Sequence, residues 1–222
     1  MIKRLRFADD EAWRNGIDAM LGAPQGVRPT RVAVSTAIAS SDGGPRPHLD
    51  VVHPGVVEAW FDDPAHLHRF ESAHVDLNHD SNVVAAEAVV LRGAEWLERR
   101  WRDDGPRFKH MALAVRASGL SAAEFSERWR DHAGRARSSS GGSTDIPDDV
   151  RGLAYVQNHP LPDDPSPYDA VNEVYFDDLD GLRRRIEWFR ENAIGQVPDE
   201  LFGATSFMAV QEVVIAGRPP WD

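Results

Sequence analysis

The sequence contains no cysteine. Disulfide bridges, thiolate nucleophiles and cysteine-ligated metals are therefore excluded, which fits a reducing compartment and leads us to expect a cytoplasmic protein. Lysine is almost as scarce. Lys3 and Lys109 are the only two, so nearly all the positive charge in the 222 residues is arginine. The formal charge is −11 and the arginines are dispersed among Asp and Glu, so no concentrated basic face is available to neutralise phosphates. A nucleic-acid partner is not expected. The run Arg183-Arg184-Arg185 lies between Asp180 and Glu187 and reads as a solvated helix face. No stretch approaches the roughly 18 uninterrupted apolar residues of a membrane-spanning helix. Met1 to Phe7 runs into Asp9, Asp10 and Glu11 without the apolar core of a signal peptide. Nucleotide signatures are missing too: Gly141-Gly142 lacks a following Lys-Ser/Thr, and Gly43-Gly44 runs into Pro45. There is no Gly-x-Ser-x-Gly elbow. These absences set the expectation of no cofactor.

What is present is a repeated phrase. Glu58-Ala-Trp-Phe-Asp-Asp63 returns 115 residues later as Glu173-Val-Tyr-Phe-Asp-Asp178, each followed by a helix-like and then a Val-rich strand-like stretch. A repeat of half the chain length implies two copies of one small domain. With 41% apolar residues the chain can bury a proper core.

The second copy is the clearer one. Phe108 to Ala117 alternates as a half-buried strand, with His110 on the face away from Met111 and Leu113. Ser121-Ala-Ala-Glu124 is a capping box opening a helix that carries Phe125 and Trp129 at i, i+4. The helix ends near Gly134, and Ser138 to Thr144 reads as a mobile loop. Gly152 to His159 and Ala170 to Asp177 read as strands, Asp178 as the cap of a helix, and Thr205 to Ile215 as the closing strand. The order βαββαβ is the ferredoxin-like arrangement. The first copy follows it more loosely. Ile2 to Phe7, Arg31 to Ser40, Val56 to Phe61 and Val83 to Leu91 form its strands, and Asp9 to Leu21 and a Pro64-initiated segment its helices. We therefore expect an α+β fold of tandem ferredoxin-like repeats, divided as 1–92 and 108–217, with 93–107 as a helical linker.

Phe125-Ser-Glu-Arg-Trp-Arg-Asp-His132, then Tyr155-Val-Gln-Asn-His159, Tyr168-Asp169 and Glu173-Val-Tyr-Phe-Asp-Asp178, in this order, resemble the EthD domain family of the dimeric α+β barrel superfamily. The resemblance covers residues 108–216 and reaches the first half only through the Glu58 phrase. It implies two four-stranded sheets paired into one intramolecular barrel. It also implies cofactor-free chemistry (lyase, cyclase, dehydratase or monooxygenase) on a hydrophobic enolisable or aromatic molecule, or a non-catalytic binding or accessory role. The chain departs from the family pattern at Ala133-Gly134-Arg135. The first half has Val32-Ala-Val-Ser-Thr-Ala-Ile38 where the second has Tyr155 to His159, so one site per chain is expected.

Among individual residues, His159 is the leading acid or base, sharing a strand face with Tyr155 and Gln157. His132 and Trp129 would approach it from the preceding helix, and Asn158, on the opposite face, has a supporting role. Glu173 and Tyr175 share a face, as Glu58 and Trp60 do; the glutamates would line a polar cavity or make a cross-barrel ion pair with an arginine. His110 would look into the same cavity as Glu173. No metal site is expected, since His66 and His68 stand about 200° apart on a helix and no i, i+4 pair clamps an ion. The expected partner is a hydrophobic small molecule, with association of the tandem chain into a homodimer as a further reading.

Overall fold

Strands here are written by alternation. In Ile2–Phe7 (β1) the odd positions Lys3, Leu5 and Phe7 face one side and Ile2 and Arg4 the other, all of them buried. A strand buried on both faces must lie in a sheet covered on both sides. A barrel with helices outside satisfies that.

The computed structural model describes residues 1–7, 10–38, 53–74, 82–101, 105–131, 135–137, 143–162, 165–192 and 200–217. After β1 come α1 (Asp10–Gly22), β2 (Arg31–Ala37), β3 (Gly55–Phe61), α2 (Pro64–Ala73) and β4 (Val83–Arg92). A short helix α3 (Ala94–Trp101) leads to β5 (Arg107–Arg116) and α4 (Ala122–Arg130). Then follow β6 (Arg135–Arg137), β7 (Ser143–Asp145), β8 (Ala154–Pro160), β9 (Ala170–Phe176), α5 (Leu179–Glu191) and β10 (Phe202–Gly217). Eight strands close into an antiparallel barrel in the order β1-β3-β2-β10-β5-β9-β8-β4. Read from β4 the order is β4-β1-β3-β2, then β10-β5-β9-β8, so strands of each half stay together and meet at two seams, β2 with β10 and β4 with β8.

The helix starts follow the local chemistry. Asp63 accepts from the His66 amide with Pro64 at the first position, Asp178 accepts from Gly181, and both bonds of the Ser121/Glu124 capping box form. Two expectations change. The Ser138 to Thr144 loop is flanked by a two-stranded ribbon, Arg135–Arg137 against Ser143–Asp145, with 138–142 outside the described residues. The closing strand is longer than alternation indicated, because Phe202 to Glu212 of β10 pair with β5 and Val210 to Gly217 with β2.

The interior of the barrel is layered. One end is apolar, with Leu5, Phe7, Val56, Met111, Leu113 and Met208 in one cluster. Phe7, His53 and Tyr168 close that end, the last two joined by a 2.7 Å hydrogen bond. At the opposite end Trp96 and Leu97 of α3 pack on Ala154, Val156 and Tyr175. Gly93, at φ +77°, turns the chain into α3 where a Cβ would lie 2.2 Å from the Leu153 carbonyl.

Candidate functional site

Between the apolar layer and α3 the barrel holds charge, and the two lysines of the chain meet there. Lys3 lies 2.5 Å from Glu58 and bonds Glu173; Lys109 bonds Glu58 and lies 2.6 Å from Glu212 and 3.5 Å from Glu173. None of these five side chains is more than 1% exposed. The first strand of each half supplies the lysine and the third strand the glutamate, so the recurring Glu58 and Glu173 are explained. Of their two readings the ion pair is what the geometry shows, and the partner is lysine where arginine was expected. Arg31 and Arg107 instead flank Glu212 at 3.6 and 3.2 Å.

Burial alone would raise Glu173, but Lys109 and Lys3 outweigh it and bring the carboxyl down to about 2. Glu212 falls to about 2 in the same way, against burial, through Lys109, Arg31 and Arg107. Burial would lower Lys109, and Glu173, Glu212 and Glu58 raise it instead. Tyr175 donates to Glu173, and burial pushes its hydroxyl well up. Groups held this firmly in one charge state are poor proton shuttles at neutral pH.

The outward face of the same strands carries a different assembly. Tyr155, Gln157 and His159 project from the outward face of β8, as their alternation predicts, with Gln157 and His159 meeting α4 and Tyr155 packing beside Leu182 and Ile186 of α5. Gln157 donates from Nε2 to the Trp129 carbonyl at 3.1 Å and to the Tyr155 hydroxyl at 3.2 Å. That fixes its amide, leaving Oε1 to accept from His159 Nε2 at 3.0 Å. His159 Nδ1 is then the lone-pair nitrogen, and it faces the Ser126 hydroxyl at 3.1 Å. Tyr155 in turn donates to Asn172 Oδ1 at 2.8 Å. Donors run one way, from Ser126 through His159, Gln157 and Tyr155 to Asn172, so each bond polarises the next.

Trp129 packs beside the imidazole with ring centroids 4.4 Å apart. His159 is 4% exposed, and burial, followed by the nearby Arg130 guanidinium, lowers it to about 4 against the opposing pull of Glu87. Burial raises the Tyr155 hydroxyl to about 12, so it remains a donor at neutral pH.

The expected site residues thus fall on two sides of one sheet. Tyr155, Gln157, His159 and Trp129 assemble outside the barrel. Asn158, Glu173 and Tyr175 lie inside it, where Asn158 Nδ2 donates to Glu173 and to the Val171 carbonyl. His110 faces outward under α5, on the opposite side of the wall from Glu173, whose cavity it was expected to share. There it accepts from Arg185 Nε at 3.0 Å and stacks on Phe207, under a different helix from the one over His159. Burial, then Arg185, holds His110 well below its usual pKa. His132 lies outside the described residues.

Arg183 and Arg184 are exposed, but Arg185 turns inward to His110 and the Val150 carbonyl, which corrects the solvated-face reading of that run. Its spacing, three after Leu182 and four before Phe189, was the available signal. Ser126 was missed because a lone serine in a helix carries no pattern.

The corresponding layer of the first half has another character. There Ile2, Val57, Phe61, Leu67 and Phe70 pack in one apolar cluster, with Arg4 paired to Glu71 beside it. His66 is buried at its edge, bonded to the Arg28 carbonyl. Among the described residues no group of three or more metal-ligating side chains occurs, and no helix is long and apolar enough to cross a membrane.

Residues 117–187 match the EthD domain. A candidate monooxygenase from Lactobacillus acidophilus aligns over 98% of this chain and 96% of its own at 9% identity, with a TM-score of 0.43. Another from Fusobacterium nucleatum aligns over 96% and 91% at 7% identity, with a TM-score of 0.45. At those scores neither carries an argument about mechanism. No curated protein gives a significant match.

Proposed function

We propose, for a chain that carries an EthD domain over residues 117–187, that the outward layer beneath α4 is a proton-transfer site for a hydrophobic enolisable or aromatic small molecule. The two halves are read as tandem ferredoxin-like units, 1–92 and 108–217 joined by 93–107, of which only the second carries a working layer. One observation carries this reading. The sheet–helix layer is packed mainly by apolar side chains in the first half, whereas in the second half a directed chain of hydrogen bonds, Ser126 to Asn172, runs beside the apolar clusters under α4 and α5. A purely structural layer has no need of the second arrangement, because buried polar groups cost free energy unless every partner is supplied.

In this reading His159 is the base, with Nδ1 as its working atom. A base brought down to about 4 is weak, so it suits substrates whose proton is already acidic: carbon between two carbonyls, an enol or a phenol. Its conjugate acid returns the proton readily, as lyase, cyclase and dehydratase chemistry require. Tyr155, kept as a phenol, holds Gln157 and through it the imidazole. The charged barrel interior keeps the sheet rigid behind them. Oxygenase chemistry would begin with the same deprotonation and needs a carbanion able to reduce O₂ itself. No residue of the proposed site calls for a cofactor.

Deuterium exchange at the activated carbon of a 1,3-diketone in D₂O, followed by NMR, tests the base directly. The wild type should accelerate exchange, and His159→Gln should lose about a hundredfold or more of that acceleration, the lower end of the range for general-base catalysis. A second reading, binding without turnover, is favoured by the fact that both His159 nitrogens are already engaged within the protein. It would be supported by saturable diketone binding with no exchange, which would remove the catalytic proposal.

A further inference from the structure

The orientation of the hydrogen-bond chain identifies a residue that controls the proposed base. Gln157 is fixed by the Trp129 carbonyl and the Tyr155 hydroxyl, so its Oε1 can only accept from His159 Nε2. The imidazole proton is thereby committed to the side facing the barrel wall. Nδ1 is left as the acceptor, and the hydroxyl of Ser126, half-buried on α4, occupies it at 3.1 Å. A serine hydroxyl rotates freely and can be withdrawn without moving the helix. Beyond it stand the exposed Arg130 guanidinium and Glu87 carboxylate, 4.0 Å apart, the two charged groups whose influence reaches the ring.

We propose that Ser126 is the positioning residue of the site: its hydroxyl marks the place taken by the acidic O–H or enol of the ligand, and Arg130 receives the oxygen that becomes anionic. This rests on the reading of His159 as the base. The step is balanced: the ligand O–H or C–H bond breaks, its proton bonds to His159 Nδ1, and the electron pair stays on the ligand as an enolate or phenolate beside Arg130. Ser126 has by then turned its hydroxyl away from Nδ1, which frees the lone pair for the proton, and donates to that oxygen. The ligand class follows from the surroundings. A compound with an acidic hydroxyl suits the Nδ1 position that the Ser126 hydroxyl marks, whereas an aliphatic alcohol lacks the acidity to give up its proton there.

The test uses 4-nitrophenol as the probe, because its phenolate absorbs in the visible and its neutral form does not. Binding to the full chain is measured for the wild type, Ser126→Ala, Ser126→Thr, Arg130→Gln and His159→Gln. In parallel, long-range ¹⁵N–¹H spectra report the tautomer of His159. The wild type should show the Nε2–H tautomer and bind the probe as phenolate. Ser126→Ala should keep the tautomer, shift the Nδ1 resonance and change probe affinity at least threefold, and Ser126→Thr, which keeps the hydroxyl, should restore both. Arg130→Gln should reduce the phenolate fraction of the bound probe. Unchanged affinity and an unchanged Nδ1 resonance in Ser126→Ala would overturn the assignment of Ser126, as would an Nδ1–H tautomer in the wild type. Loss of probe binding in His159→Gln with none of these Ser126 effects leaves the base in place and removes only this inference. Equal binding in wild type and His159→Gln would remove the base itself.

Discussion

Replacing Lys109 by methionine probes the charged core of the barrel most sharply. Methionine is close to lysine in length and leaves the packing on Tyr175 largely intact, but Glu58, Glu173 and Glu212 lose their common cation. Removing one partner of a buried pair costs about 3–5 kcal/mol, since the other is left desolvated and uncompensated. The carboxyls give an independent figure. Glu173 is held from 4.5 down to about 2, and at 1.36 kcal/mol per unit that is on the order of 3 kcal/mol of native-state stabilisation, with Lys109 the foremost of its cations. For a chain of this size such a loss lowers Tm by roughly 10 °C.

The sign with pH is also fixed. A carboxyl depressed in the folded state stabilises above its unfolded pKa, and that stabilisation is lost as pH falls from about 4.5 toward about 2. In Lys109→Met the acid transition should therefore begin at higher pH than in the wild type. Urea unfolding followed by tryptophan fluorescence at pH 7 and at pH 4 measures both effects. Lys109→Met/Glu58→Gln should recover part of the loss, since Lys3 then serves one carboxylate, Glu173, in place of two. A single variant within about 1 kcal/mol of the wild type would refute the claim that these charges depend on one another.

Amine acylation of the native protein should leave Lys3 and Lys109 unmodified, read by peptide mass, because both are at most 1% exposed; modification without loss of structure would contradict the closed barrel. His159, lowered from 6.5 to about 4, binds its proton later in the folded than in the unfolded state. Its contribution is therefore complete above pH 6.5 and lost as pH falls toward 4, by roughly 2 kcal/mol after allowance for solvent near the ring. His159→Gln should flatten that limb of the stability profile. Gly93→Ala forces a Cβ against the Leu153 carbonyl at a left-handed φ, and should cost at least about 1–3 kcal/mol in a denaturant titration.

Much of this molecule was legible in its residues. The alternation of β1, β5 and β8 and the caps at Asp63, Ser121 and Asp178 pointed to the strands and the helix starts, because each depends on neighbours in sequence. The charged layer was less legible. Lys3 and Lys109 meet Glu58 and Glu173 only once the barrel closes, and nothing local distinguishes a buried lysine from an exposed one. Alternation correctly grouped Tyr155, Gln157 and His159 and set Asn158 on the opposite face, but it could not say that Glu173, on another strand, shares the side of Asn158. Ser126 and Arg185 became meaningful only through the strands beneath their helices.

The most direct test of the proposed site is chemical-shift mapping on ¹⁵N-labelled protein titrated with 4-nitrophenol. The account predicts shifts centred on Ser126, Trp129, Arg130, Gln157 and His159, and absent from them in His159→Gln. Shifts centred on the apolar layer of Phe61 and Phe70, or on the Tyr168–His53 end of the barrel, would contradict it.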